Sequence, residues 1–212
     1  NAGGNFPAGS LGAPSITFIG DENTGLFRKS GGSVGFVSDA TEIANFDSNG
    51  ITISSGNIII PDSIIHNGDT NTKIRFPATD TISLETNGNE RLRVDSDGHI
   101  SIGTATSRAI GGAVERKLQI EATDASAGIT ITRNGNASTP PFLGFGKQRS
   151  GAVGGNTVVQ NNDQLGQIYF AGGDGTDIVS VAASIASFVD GAPGSNDMPG
   201  RLVFSTTADG AA

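Results

Sequence analysis

The chain has 212 residues, with 32 glycines, no cysteine, no tryptophan and a formal net charge of −8 at pH 7. The lack of cysteine excludes disulfide frameworks and zinc–thiolate sites. Acidic character with only scattered Lys and Arg argues against a nucleic-acid partner. The longest apolar runs, such as Ile58–Ile60, are far too short to span a bilayer, so we expect no membrane insertion.

The chain begins with a linker, residues 1–13, and its first residue is Asn1 rather than Met, so we expect a piece of a longer protein. After the linker, a shift of 48 positions aligns ten identical residues without a gap. The shift also aligns apolar residues, for example Phe36 with Leu84 and Phe46 with Val94. We therefore predict two copies of one module, residues 14–62 and 63–106.

Short alternating apolar segments in each module predict β-strands, as at Val34–Phe36 and Ile82–Leu84. The runs Asp47–Gly50 and Asp95–Gly98 have the composition of hairpin turns. A module of under fifty residues with such short strands has too little chain to enclose its own core. We therefore expect its apolar faces to meet equivalent faces on other copies of the chain.

A Gly-rich connector at residues 107–113 leads to a predicted antiparallel β domain, residues 114–212. The alternating segments that predict its strands are Leu118–Ile120, Ile129–Ile131, Ile168–Phe170, Val179–Ile185 and Leu202–Phe204. A helix over residues 180–189 is the competing interpretation of the fourth segment. The odd-position alternation and the Asp190–Gly191 turn favour a strand.

Gly172–Ser180 matches one nine-residue unit of calcium-binding β-rolls. In a β-roll each ion lies between successive copies of the unit, and this chain has one copy only. We therefore predict a turn between two strands here. A calcium-binding β-roll is the less favoured alternative.

For the other candidate sites, a structural role also explains the residues better than ion binding or catalysis. Asp47 with Asn49, and Asp95 with Asp97, have the spacing of ion ligands but lack the closing Glu of a calcium loop, which favours turn capping. His66 and His99, the only imidazoles, have no nucleophile motif beside them. We predict no catalytic, cofactor or metal site, and no enzymatic activity.

The run Asn89–Gly98 contains Glu90, Arg91 and Arg93, which predict an ion pair between strands or between chains. With His99–Gly103 it resembles a step that recurs in bacteriophage tail-fibre proteins. A downstream block resembles one found in fibre proteins of marine and cyanobacterial phages. Its matching segments are Ile129–Gly135, Asn162–Gly166, Ile168–Asp177, Val189–Gly191 and Asn196–Gly210.

The resemblance implies an elongated trimeric fibre in an all-β fold, with the two repeat modules as a shaft and a small antiparallel β domain after them. It also implies a homotrimer held by swapped or stacked strands, located extracellularly on the virion and supporting host attachment. The expected partners are other virion proteins and a glycan or protein receptor on the host surface. Fibres of this family often continue into a further step and a self-cleaving chaperone domain, which would lie beyond Ala212.

The alternative function is a host-glycan-binding adhesin domain. Its support in the sequence is two long polar, Gly- and Asn-rich loops, Gly144–Gln164 and Asp190–Gly200.

Overall fold

The computed structural model describes residues 6–210, so residues 1–5 of the predicted linker and the last two residues of the predicted β domain lie outside the described part. The chain divides into two compact units, one ending at Pro61 and the other beginning at Asp62. The predicted all-β class is confirmed. Residues 6–210 form three sheets, and their helical content is a short 3-10 turn at 30–32.

The first unit holds one five-stranded antiparallel sheet in which each strand pairs with the next along the chain. Glycine and polar residues form the tight connections, and Asp39 and Ala40 adopt positive φ between the third and fourth strands. The strands are β1 (Ile16–Phe18), β2 (Asp21–Lys29), β3 (Ser33–Ser38), β4 (Thr41–Asp47) and β5 (Gly50–Ile53).

The second unit begins with a six-stranded sheet of the same design. Five strands follow each other antiparallel, and the sixth pairs parallel to the fifth after a crossover through residues 103–117. The strands are β6 (Ser63–His66), β7 (Asp69–Arg75), β8 (Ile82–Thr86), β9 (Asn89–Val94), β10 (Ile100–Ile102) and β11 (Leu118–Ile120).

The two sheets repeat each other in register as well as in sequence. Ile16 pairs with Leu26 in the first sheet, and Ile64 pairs with Ile74 in the second, a shift of 48 for both partners. The irregularity at the end of β1 recurs at the equivalent position of β6. The 48-residue sequence repeat is therefore a repeat of strand pairing.

The third sheet has three antiparallel strands, β12 (Gln164–Ala171), β13 (Val181–Val189) and β14 (Gly200–Thr206), with β13 in the centre. The residues for which a helix was the alternative form β13. The segment 172–180 connects β12 to β13, as the turn interpretation predicts.

One predicted strand is absent, and another lies in a different sheet from the one we expected. Ile129–Ile131 is not in a strand, because no neighbouring backbone pairs with it, and residues 121–163 contain neither strand nor helix. Leu118–Ile120 does form a strand, but it completes the second sheet by pairing with β10. The sheet of the C-terminal region is therefore built from residues 164–206.

Gly103 allows the parallel pairing of β10 and β11, because a Cβ at this position would overlap the Glu121 carbonyl oxygen. Its φ of +79° also favours glycine. Gly88, with a φ of +72°, has open space around its Cα and serves as the matched control. Both alanine substitutions should cost about 1–2 kcal/mol for the left-handed backbone, and Gly103→Ala about 1–3 kcal/mol more for the overlap.

Urea unfolding at a fixed protein concentration measures the difference between the two variants. Equal loss of stability in Gly103→Ala and Gly88→Ala would contradict the close approach of Gly103 to Glu121.

Candidate assembly interface

One face of the second sheet carries two rows of aliphatic side chains. Residues opposite each other on neighbouring strands lie on the same face, so the pairing register identifies two continuous rows across the sheet. The longer row is Ile64, Ile74, Leu84, Leu92, Ile102 and Ile120. The shorter row is Ile82, Val94, Ile100 and Leu118.

Most of this aliphatic face is exposed in the single chain. Seven of its ten side chains are exposed, and Leu92, Val94 and Ile120 are half-buried. Complete burial of a side chain of this size contributes about 1.5–3 kcal/mol. Continuous exposed apolar patches are common at interaction surfaces, so this face is the candidate interface.

The first sheet repeats the arrangement, with a shift of 48 residues in its first four strands and of 49 in the fifth. Its long row is Ile16, Leu26, Phe36, Ala44 and Ile53. Beside it lies a second row, in which Val34, Phe46 and Ile51 follow Arg28 at the outer end. The rings of Phe36 and Phe46 contact each other, with centroids 5.3 Å apart. Both modules therefore present an apolar face at equivalent positions.

The opposite face of the second sheet is polar and, unusually, the more buried of the two. Ser83 and Ser101 are 0% and 2% exposed, because each lies between the longer side chains of its row. That row is Ser63, Arg75, Ser83, Arg93, Ser101 and Gln119.

Ion pairs hold the long side chains of this polar face in place. The Glu85 carboxylate forms ion pairs with Lys73 at 3.3 Å and with Arg75 at 3.5 Å, and Arg75 also pairs with Asp62 at 3.1 Å. Hydrogen bonding from Arg75 lowers the pKa of the Asp62 carboxyl. These charged groups of the polar face are thus paired within the chain, whereas the buried Ser83 hydroxyl on the same face has no hydrogen-bond partner.

A β-bulge determines which face the repeated glutamates occupy. Leu84 pairs with Leu92 but Glu85 pairs with Glu90, so Arg91 is the extra residue on β9. The bulge brings Glu90 to the face of Arg93, whose guanidinium donates two hydrogen bonds of 2.7 Å to the carboxylate. We predicted a pair between strands or chains, whereas this pair forms within one strand.

The first sheet has the same bulge, with Ile43 as the extra residue. It places Glu42 on the face of Asn45, which donates to the Glu42 carboxylate at 2.7 Å. Lys29 pairs with the same carboxylate at 2.8 Å, and hydrogen bonding from Lys29 is the main cause of its lowered pKa. The sequence repeat aligned Glu42 with Glu90 but did not reveal the bulge that explains their role.

The third sheet also has an exposed apolar face. Ile168, Ile185 and Phe204 lie opposite one another across the three strands, and Leu202 and Phe170 flank them on the same face. Phe204 is 73% exposed. Ala186 is buried on the other face, and Val189 is buried at the end of β13 on the same face as Ile185.

Polar contacts at two places hold neighbouring loop segments against the third sheet. The Tyr169 hydroxyl donates to the Ile110 carbonyl at 2.8 Å and so links the connector to β12. Arg149 donates two hydrogen bonds of 2.6 Å to the Asp163 carboxylate beside the start of β12. Hydrogen bonding from Arg149 holds the pKa of Asp163 well below its ordinary value.

The carboxylates of the nonapeptide Gly172–Ser180 accept hydrogen bonds from groups within the same turn. Asp174 accepts from the backbone N–H groups of Thr176 at 2.8 Å and Asp177 at 3.1 Å, and from the Ser180 hydroxyl at 3.3 Å. These backbone hydrogen bonds lower the pKa of Asp174. Asp177 accepts from the Val179 N–H at 2.9 Å. The oxygens that a calcium ion would need are used locally to shape the turn.

The two Asp-rich hairpins use their carboxylates for turn capping, as predicted. Asp47 accepts from the Asn49 N–H at 2.7 Å, and Asp95 accepts from the N–H groups of Asp97 at 3.0 Å and His99 at 2.8 Å. The backbone bond from His99 is the largest cause of the lowered pKa of Asp95. Within residues 6–210 no group of three or more acidic or histidine side chains could hold a metal ion.

His99 lies in a polar cluster that the sequence did not reveal. Its Nδ1 is 3.1 Å from Asp95 Oδ2 and 3.5 Å from the Ser107 hydroxyl, which donates to Glu115 at 2.5 Å. In a catalytic triad the acid and the nucleophile contact opposite nitrogens of the imidazole. Here both contact the same nitrogen, so the cluster attaches the connector to the β9–β10 turn. His66 lies exposed at the end of β6.

The two loops that suggested a glycan site line one open cleft of about 780 Å³. One loop contributes residues 146–148 and 155–159, and the other contributes residues 193–195 and Met198. None of these lining residues has an aromatic ring on which a sugar could stack. Glycan binding by this cleft stays a prediction.

Comparison with known proteins assigns no family to the chain. No family model matches it, and no curated protein matches it either. In the part of the chain that the structure describes, no helix is long and apolar enough to cross a membrane.

The hydrogen bonds of Asp174 predict that the third sheet does not depend on calcium. Addition of EDTA should leave the thermal midpoint and the circular dichroism spectrum unchanged. Asp174→Asn should lower the midpoint by a few degrees, because a neutral amide oxygen is a weaker acceptor than a carboxylate. A midpoint that falls in EDTA and recovers with added calcium would instead support the β-roll.

Proposed function

We propose that this chain is a structural segment of a bacteriophage fibre, which assembles as a homotrimer, projects from the virion and supports attachment to the host. The observation that carries the proposal is the exposed aliphatic face of the two repeated sheets. The resemblance of Asn89–Gly103 and of the downstream block to phage fibre proteins supplies the biological setting.

A second copy of the same chain is the partner that fits these faces best. The ten positions of the second sheet's face are all aliphatic, so they contain no charge that a hydrophilic partner would neutralise. The opposite face already satisfies its charges by internal pairs. Packing of identical apolar faces buries the rows and leaves the charged faces in water.

The proposal of three chains per assembly comes from the resemblance to phage fibres. It is compatible with the arrangement of the sheets. Three sheets can enclose one common core if each turns its apolar face towards a three-fold axis. Because each module carries its own face, modules add length to such a fibre without enlarging its core. Attachment through three copies would strengthen weak individual contacts with a host surface.

Leu84 lies in the middle of the longer row, so Leu84→Asp should dissociate the assembly. A carboxylate at this position would bring three negative charges into an apolar core, at a cost of several kcal/mol. Light scattering should give the parent a mass three times that of the 21.4-kDa chain, and the variant a mass near one chain. Val153→Asp is the control, because Val153 is fully exposed and lies outside all three sheets.

A parent chain that is monomeric at micromolar concentration would overturn the proposal. So would a Leu84→Asp variant that keeps the mass of the parent.

A module duplication tests the fibre itself. A chain with a second copy of residues 14–62 inserted after residue 62 gains five strands with 4.7–4.9 Å spacing. If strands stack along the fibre, the particle should lengthen by about 24 Å at unchanged width. Negative-stain electron microscopy of both assemblies measures the change. A wider particle of unchanged length would contradict a shaft built from these modules.

A further inference from the structure

The long segment between β11 and β12 has no backbone partner in the single chain. Residues 127–148 make no hydrogen bond between backbone groups, and every residue from 122 to 147 is exposed. Connections this long without secondary structure are uncommon in compact domains. Backbone N–H and C=O groups need partners, which here are either water or another chain.

Part of this segment has the sequence of a strand. In residues 128–133 the apolar Ile129 and Ile131 alternate with Thr130 and Thr132, and β-branched residues of this kind favour extended backbone. Ile129 and Ile131 are both exposed. The segment thus has the alternation and composition of a half-buried strand, but no sheet to join.

The third sheet offers one regular free edge, on which the charged residue, Arg201, is paired with Asp190 at 2.7 Å. Its two edge strands are β12 and β14. The ladder of β12 is interrupted by two irregularities, whereas β14 pairs with β13 in unbroken register over seven residues. Native edges are normally blunted by bulges, proline or inward-pointing charges. The regular strand Gly200–Thr206 contains neither bulge nor proline.

We propose that residues 128–133 become a strand on assembly and add to the free edge of β14 in a neighbouring copy. The alternation of the two strands matches, since Ile129 and Ile131 would extend the face that holds Leu202 and Phe204. The added strand would give the unpaired backbone its hydrogen bonds and cover the most exposed part of the sheet. This inference rests on the self-association in the proposed function.

Hydrogen–deuterium exchange of the full chain tests the proposal. In the assembled parent, the amides of residues 128–133 and those of β14 that point away from β13 should exchange at least about 100-fold more slowly than unpaired backbone. In the Leu84→Asp chain this protection should disappear, because the substitution separates the copies without altering either strand.

A matched pair of proline variants locates the contact. Thr130→Pro removes a ladder donor from the β-patterned run and should lower both the protection of β14 and the thermal midpoint of the assembly. Ala137→Pro places the same substitution in the same unpaired segment but outside that run, and should leave both unchanged.

The outcomes separate this inference from the function on which it rests. An assembled chain with unprotected residues 128–133 would overturn strand exchange and leave the fibre proposal intact. Protection that persists in a monomeric Leu84→Asp chain would show pairing within one copy and would also overturn it. Undiminished protection of β14 in Thr130→Pro would exclude β14 as the acceptor. A monomeric parent chain would overturn both proposals.

Discussion

The apolar faces of single-layer sheets are the constraint on which the rest of this structure depends. A sheet of five or six short strands can pair its backbone completely and still leave one face in water. In the second sheet that face carries one aliphatic row across all six strands and a second row across four of them. The chain therefore completes its hydrogen-bonding ladders alone but has not completed its hydrophobic core.

The two faces of the second sheet differ in composition and in role. Serines on the polar face are buried beneath Arg and Gln side chains, which are themselves held by carboxylates. Such pairs, partly open to solvent, add little stability each. Their main contribution is to fix the long side chains over one face. The first sheet divides its faces less strictly, because the face opposite its apolar rows also holds the buried Phe27 and Val37.

The sequence predicted the strands best where alternation and turn chemistry agree. Val34–Phe36, Ile82–Leu84 and Leu202–Phe204 all lie in strands, because a short connection joins each strand to a neighbour that precedes or follows it in the chain. Ile129–Ile131 has equally good alternation but no local neighbour, and local pattern does not specify a partner. The sequence also suggested that apolar faces lack partners, since the modules are too small to enclose a core. It did not reveal the cluster around His99 or the parallel pairing of β11, which join residues separated by a crossover.

The bulge repeated in β4 and β9 has a further consequence for the correct alignment of strands. Neighbouring strands can in principle slip by one residue, which would reverse the faces of every side chain on one of them. A slip of β4 or β9 would carry Glu42 with Asn45, or Glu90 with Arg93, together onto the face of the aliphatic rows, and it would also separate Glu42 from Lys29. The unfavourable burial of a carboxylate would reject the slipped pairing. Each module thus contains a carboxylate that disfavours its own misaligned strand pairing. A register error in one module therefore need not change the register of the next.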